Sequence, residues 1–285
     1  MTTKDHIPGS RLGFSLVLAV VLGAFLAAPL GAAAQGKAAK VPLSGKAGAV
    51  IDITGNWVSI IDEDWLWRMA TPAKGDTASL PVNAKAIQVT KNWNPDKDKA
   101  EGNECRAYGA GNIMRIPGRL HITWADDNTM QMEIDAGMQK RLFHFDAAQW
   151  KGGAPQWQGF STAIWEKQFQ VRASNPGRVG FGGPEPGKGG NLAVVTTHMR
   201  PGYLRKNGVP YSGNAVLTEY FNVVTSRGET YLLLTSILKD PEYLIEPYVV
   251  SSQFKREADA SKWDPQPCRP LWPLQVRRII PSRQY

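Results

Sequence analysis

Five side chains in this sequence stand out for proton or metal chemistry: His121, His144, His198, Glu166 and Glu219. Three imidazoles drawn from separate segments can hold zinc or copper and leave a position open for water. No two of these histidines lie close enough in sequence to form a local ligand motif, and a strand histidine is ordinarily packed and hydrogen-bonded. No metal ligand set is therefore assigned, and the cofactor stays unknown. Glu219 sits between Thr218 and Tyr220 in an otherwise apolar run. Alternation places it with Leu217 and Phe221, so it either pairs with a cation, Arg119 or Arg141, or takes part in proton transfer. Glu166 follows Trp165 at the end of another apolar run. Ser161, in GFSTA, lacks the second glycine and the strand-to-helix context of a nucleophile elbow, which argues against a serine hydrolase. Arg119, Trp124, Arg141, Trp165 and Tyr220 lie on the same runs and are candidates to line a pocket for a small apolar or aromatic molecule.

The elements that must position these groups read as short strands. Arg119 to Trp124 alternates strictly, with Leu120, Ile122 and Trp124 on one face and Arg119, His121 and Thr123 on the other. Asp126 to Asn128 turns the chain, and Met130 to Asp135 alternates in the same way, which predicts a hairpin. Further strands are expected over Trp57–Ile61, Arg141–Phe145, Trp157–Glu166, Tyr231–Leu238 and Tyr248–Phe254, with Gly159 marking a bend or a close backbone approach. The stretch from Asn191 to Tyr220 predicts two strands joined by a polar Gly/Pro-rich connection, with Arg205 to Gly208 as a polar turn at the barrel mouth. His198 and Glu219 could then both point inward beside His121. Asp62 to Asp64 suggests a turn or helix start capped by Asp64. Thr71 to Gly102 reads as mostly loop, with one short helix or strand at Ala86–Val89. Ala173 to Gly190 carries seven glycines and three prolines, a lid or an insertion rather than a regular element.

Eight to ten short strands with turn signals between them predict an all-β fold, an antiparallel barrel or sandwich with long loops. At 285 residues, with 42% hydrophobic content and ten tryptophans, the chain can fill such a core.

The first 34 residues predict a compartment. Lys4 and Arg11 precede an apolar run from Leu12 to Leu30, followed by small residues through Ala34, the order of a secretory signal peptide. The expected organisation is a signal peptide over 1–34, a flexible leader over 35–52, a barrel domain over 53–270 and a tail over 271–285. A periplasmic or secreted location follows, with no stable membrane insertion after cleavage. Such a compartment lets Cys105 and Cys268 persist as a disulfide, with two free buried thiols as the alternative. The formal charge is +8, and loss of Lys4, Asp5 and Arg11 leaves +7. Because the basic residues are scattered, the sequence predicts a solvated basic surface and no nucleic-acid partner.

The phrases PGRLHITW, DAG-x-QKRLFHF, WQGFSTAIWE, LAVVTTHMRPGYLRKNGVPYS, LTEYF, KDPEYL and WDPQPC, in this order, resemble a family of uncharacterised exported bacterial β-rich proteins, and the resemblance covers about Trp57 to Cys268. The resemblance implies an exported all-β domain, an antiparallel lipocalin-like (calycin-like) barrel of about 8–10 strands with long loops, but carries no activity and no catalytic residues. This chain departs from the pattern where Ala173 to Gly190 intervenes after Trp165-Glu166. The function expected is a periplasmic binding protein that holds a small apolar or aromatic molecule in the barrel. The alternatives are a lyase, isomerase or hydrolase using the His and Glu residues, and an envelope interaction protein without a pocket.

Overall fold

The computed structural model describes residues 45–167 and 190–269, so the predicted signal peptide, most of the Gly/Pro-rich insertion and the last residues lie outside it. Nine strands close into one barrel: β1 (Gly55–Ile60), β2 (Arg119–Asp126), β3 (Thr129–Ile134), β4 (Gln139–His144), β5 (Phe160–Lys167), β6 (Gly190–Thr197), β7 (Val216–Ser226), β8 (Glu229–Lys239) and β9 (Tyr248–Glu257). Each strand pairs with its neighbours in sequence, and β9 closes on β1. The expected all-β barrel is therefore present, but it is not wholly antiparallel. A closed meander of antiparallel pairs needs an even number of strands, so a ninth forces one parallel pair. It falls between β4 and β5, where Phe143 pairs Ser161 and His144 pairs Thr162. Residues 145–159 supply the crossover that a parallel pair requires. Gly159 bends the chain into β5 at φ +61°, and a Cβ there would lie 2.4 Å from the Thr197 carbonyl oxygen.

Alternation fills the interior. Trp57, Ile122, Met130, Met132, Phe143, Phe221 and Phe254 are all completely or almost completely buried. Among them lies one charged pair. Arg141 on β4 donates through Nη1 to Glu219 Oε1 at 3.0 Å and through Nη2 to Oε2 at 2.5 Å. Its Nη2 also donates to Thr196 Oγ1 at 3.2 Å, and that hydroxyl lies 2.7 Å from Ser161 Oγ. Of the two cations that alternation offered Glu219, the register selects Arg141.

Both barrel mouths are covered. At one, Trp124, Phe145 and Trp165 form a ring cluster with centroids 5.3 to 6.5 Å apart. Trp165 Nε1 donates to the Gly45 carbonyl at 2.5 Å, and Gly45 and Lys46 donate to the β2–β3 turn. Gly45 and Lys46 are thus packed onto the barrel, inside the range whose composition suggested a flexible leader.

The opposite mouth holds the β1–β2 connection, with α1 (Trp65–Met69), α2 (Ala84–Asn92) and α3 (Pro95–Ala100). The expectation of one short element in Thr71–Gly102 is corrected to two helices. The Asn83 and Asn94 side chains accept from Ala86 N and Asp96 N, and Pro95 opens α3 where its missing N–H costs no bond. Under these helices the β6–β7 connection is buried from Gly202 to Ser212. The expected exposed turn at Arg205 to Gly208 is therefore a plug. Carbonyls meet part of its polarity: Lys206 Nζ donates to Arg68 O at 2.6 Å, and Asn207 Nδ2 donates to Ala73 O and Asp76 O. Gly208, at φ +84°, lies where a Cβ would strike the Trp93 ring.

Cys105 and Cys268 are bridged, with Cα atoms 5.1 Å apart across 163 residues of sequence. The bridge ties the helical insertion to the C-terminal segment, where Gln266–Pro267 pairs in parallel with Ala136–Gly137. Closing so long a loop stabilises the fold by about 4 to 5 kcal/mol in the chain-entropy model.

The buried pair generates a test. Glu219→Gln leaves Arg141 without its counter-charge in the core and is expected to cost about 3 to 5 kcal/mol, whereas Arg141→Met with Glu219→Leu restores most of that loss. Urea unfolding of the three proteins reads the difference directly.

Candidate functional site

The barrel does not gather the predicted catalytic groups. His121 lies on the outer face of β2, with Nδ1 2.7 Å from Asn56 Oδ1 and its ring edge-on to Trp263. His144, outward on β4, meets Gln149 Oε1 through Nδ1 and stacks on Phe160 at 4.8 Å. His198 follows β6 with φ +55°, is exposed, and packs against Trp150 at 4.4 Å. Trp150 also packs on Phe160, so His144 and His198 share one outer aromatic patch without facing each other. The inward placement of His198 and His121 is thereby corrected: on both strands the inward positions belong to apolar residues or threonine. Among the described residues, no three His, Cys, Asp or Glu side chains come together in a metal-holding arrangement.

Glu166 is outward on β5 opposite Asn191. Glu219 faces inward but is held by Arg141, which makes it a structural counter-ion. Of the residues proposed to line a pocket, Trp124 and Trp165 belong to the ring cluster that closes the barrel. Arg141 is committed to Glu219, and Tyr220 lies on the outer face of β7 between Ala193 and Thr235. Arg119 alone reaches a cavity of ligand size. Its Nε donates to Glu257 at 3.0 Å, and its backbone N–H donates to Asp135 Oδ1 at 2.7 Å.

That cavity is a cleft of about 540 Å³ at the plugged mouth. Val58, Ile61, Met69, Ile116, Pro117 and Pro267 give it apolar walls, and Arg119, Lys206, Arg269, Asp135 and Asp264 give it charge. Volumes of this order with a few placed polar groups are typical of small-molecule sites. Its outer wall is the C-terminal segment that the disulfide and the Ala136–Gly137 pairing hold in place. On α1, Met69 lines the cleft and is largely exposed, as are Leu66 and Trp65, the latter four residues earlier on the same helix face.

Lys206 forms the floor and also reaches the narrow spaces behind it. Burial pushes its ammonium down from 10.5 to about 8. Around it, Arg68, Arg115 and Arg205 are equally buried. Asp64 holds the N-cap position of α1, but its side chain makes no cap; it accepts from Arg115 Nη2 at 2.5 Å. Sequence reasoning missed this concentration of charge because its four cations come from three distant segments. The adjacent acids Asp62 to Asp64 were the available signal, since acids beside a helix start often answer a cation brought from elsewhere.

Fold and site together define a closed β-barrel with a filled interior, one mouth capped by the N-terminal segment, and a mixed apolar and cationic cleft at the other. Comparison of the chain with protein-family models, with curated proteins and with solved structures finds no match in any of the three. No helix among the described residues is long and apolar enough to cross a membrane.

Lys206 makes the site's electrostatics measurable. Its folded value lies below its ordinary one, so its contribution to stability is full above pH 10.5 and is lost as pH falls through about 8. Buried tyrosines such as Tyr108 and Tyr248, raised by burial, act oppositely at the alkaline end. The expected result is therefore differential: between pH 8 and 10.5, wild-type stability rises relative to Lys206→Met, as followed by denaturant midpoints across that range.

Proposed function

We propose that this protein is an exported binding protein for a small amphiphilic molecule, an apolar or aromatic body carrying an anionic group, taken into the cleft at the plugged mouth. The observation that carries the proposal is the cleft itself: about 540 Å³ of space with apolar walls and with Lys206, which has no carboxylate within ion-pair distance among the described residues, at its floor. An apolar body would lie against Met69, Ile116 and Pro117, and its anionic group would reach Lys206 and Arg269. The ammonium has three donors and gives one to Arg68 O, so donors remain for a ligand. The ligand proposed here sits at the rim and not in the barrel cavity expected from the sequence, a reading supported by the filling of the interior by Trp57, Phe143, Phe221 and Phe254. Export is supported by the charged, apolar and small-residue order of the first 34 residues and by the Cys105–Cys268 bridge.

Binding of 8-anilinonaphthalene-1-sulfonate, a probe with an aromatic body and one negative charge, tests the assignment. The wild type is expected to bind it at one site, with competition by naphthoate. Met69→Glu and Lys206→Met should each weaken it by about tenfold, ~1.4 kcal/mol. Reducing the disulfide should weaken it as well by releasing the cleft's outer wall. Equal affinity in the wild type and both variants places the probe elsewhere and removes the reading. Native mass spectrometry of the protein purified from its own host then identifies the natural ligand class.

A further inference from the structure

Behind the cleft, a second and much smaller space is lined by Trp67, Arg68, Asn112, Arg115, Leu204, Arg205 and Lys206, with a volume of about 10 Å³. That is room for a single water or monatomic ion and too little for a carboxylate, sulfate or phosphate. Four of the seven lining residues are cationic, and all four are more than nine-tenths buried.

Their negative partners do not balance them. Arg115 is answered by Asp64 at 2.5 Å. Arg68 has Glu63 only at 3.9 Å, and its close bonds go to carbonyls: Nε donates to Arg115 O at 3.1 Å and Nη1 donates to Ile60 O at 3.2 Å. Among the described residues, no carboxylate lies within ion-pair distance of Arg205, whose guanidinium sits 4.7 Å over the Trp67 ring. Two nitrogens, Arg68 Nη2 and Arg205 Nη1, are buried with no hydrogen-bond partner among the described protein atoms.

We propose that this niche is a binding site for a monatomic anion, chloride under ordinary conditions, recognised by the free guanidinium nitrogens of Arg68 and Arg205. A water molecule is smaller than a halide and could accept the same two hydrogen bonds, but it would leave the buried positive charge uncompensated; a halide supplies both the acceptor and the charge. Burial lowers the pKa of Arg68, Arg205 and Lys206, the penalty that an anion among them relieves. The site joins the β6–β7 plug, which contributes Arg205 and Lys206, to the helical insertion, which contributes Arg68 and Arg115. The ion would therefore act as a structural fastener of the plugged mouth, independent of whatever the cleft binds.

Two measurements test it. Crystals of the wild type soaked in bromide should show an anomalous peak within about 3.5 Å of both Arg68 Nη2 and Arg205 Nη1. At constant ionic strength, replacing gluconate by chloride or bromide should raise the melting temperature along a saturating curve. That saturation should be lost in Arg205→Met, while any shallow non-saturating salt effect persists. If Arg205→Met fails to fold, the bromide map on the wild type decides alone. A niche that holds water and no bromide, or a halide response that never saturates, overturns the proposal. Neither result bears on the probe-binding test of the cleft, so the two assignments fail separately.

Discussion

Closing the sheet is the constraint on which everything else rests. A barrel has no free edge, so the ladder hydrogen bonds of every strand are met by its neighbours, but the enclosed space must then be filled or used. Here it is filled. The large inward side chains of β1 to β9 meet across the axis, and the one charged pair among them, Arg141 and Glu219, is joined bidentately. A ligand-carrying barrel of similar strand number keeps small or absent side chains along part of its axis. This one places Trp57, Phe143, Phe221 and Phe254 there, and chemistry is displaced to the mouths and the outer wall.

The two mouths are closed by different physics. At the N-terminal cap, three aromatic rings and a few backbone bonds around Gly45 complete the core without buried charge. At the other mouth the plug is rich in cations, and carbonyls of the helical insertion receive two of its polar side chains, Lys206 and Asn207. Unlike an aromatic lid, such an arrangement leaves donors over once the protein's own acceptors are used. Those spare donors face both the 540 Å³ cleft and the small niche behind it, which is why a single lysine borders both spaces.

Strand existence was legible because alternation reports which face is dry. The hairpin Arg119–Asp135 and the partner of Glu219 could both be approached from a period of two. Three features were not legible. The parallel pair between β4 and β5 depends on the count of strands in the closed barrel, and no local pattern encodes it. The helices α2 and α3 are short and polar, and their evidence lies in single Asn caps rather than in a hydrophobic stripe. The plug is written in residues that ordinarily mark exposed turns, Arg-Lys-Asn-Gly, and its burial depends on acceptors contributed by residues more than 100 positions away. The histidines misled for a related reason: their alternation was correct, but it places His121 and His144 on the wet face, and with the dry face this full, sharing a strand with core residues carries no implication of a shared site.

The disulfide shows how these levels connect. In stability terms it closes an unfolded loop across 163 residues of sequence and so lowers the unfolded chain's entropy. In position it does something more local, because Cys268 lies one residue beyond the Gln266–Pro267 pairing and Cys105 lies at the foot of the helical insertion. The bridge therefore joins the two pieces of chain that flank the cleft, neither of which belongs to the barrel ladder. A wall built from non-ladder segments would otherwise depend on a two-residue parallel pairing and a few side-chain contacts, too little to hold a defined shape against solvent. Covalent closure makes that wall as permanent as the barrel. The cleft thereby gains a fixed geometry without drawing on the filled core.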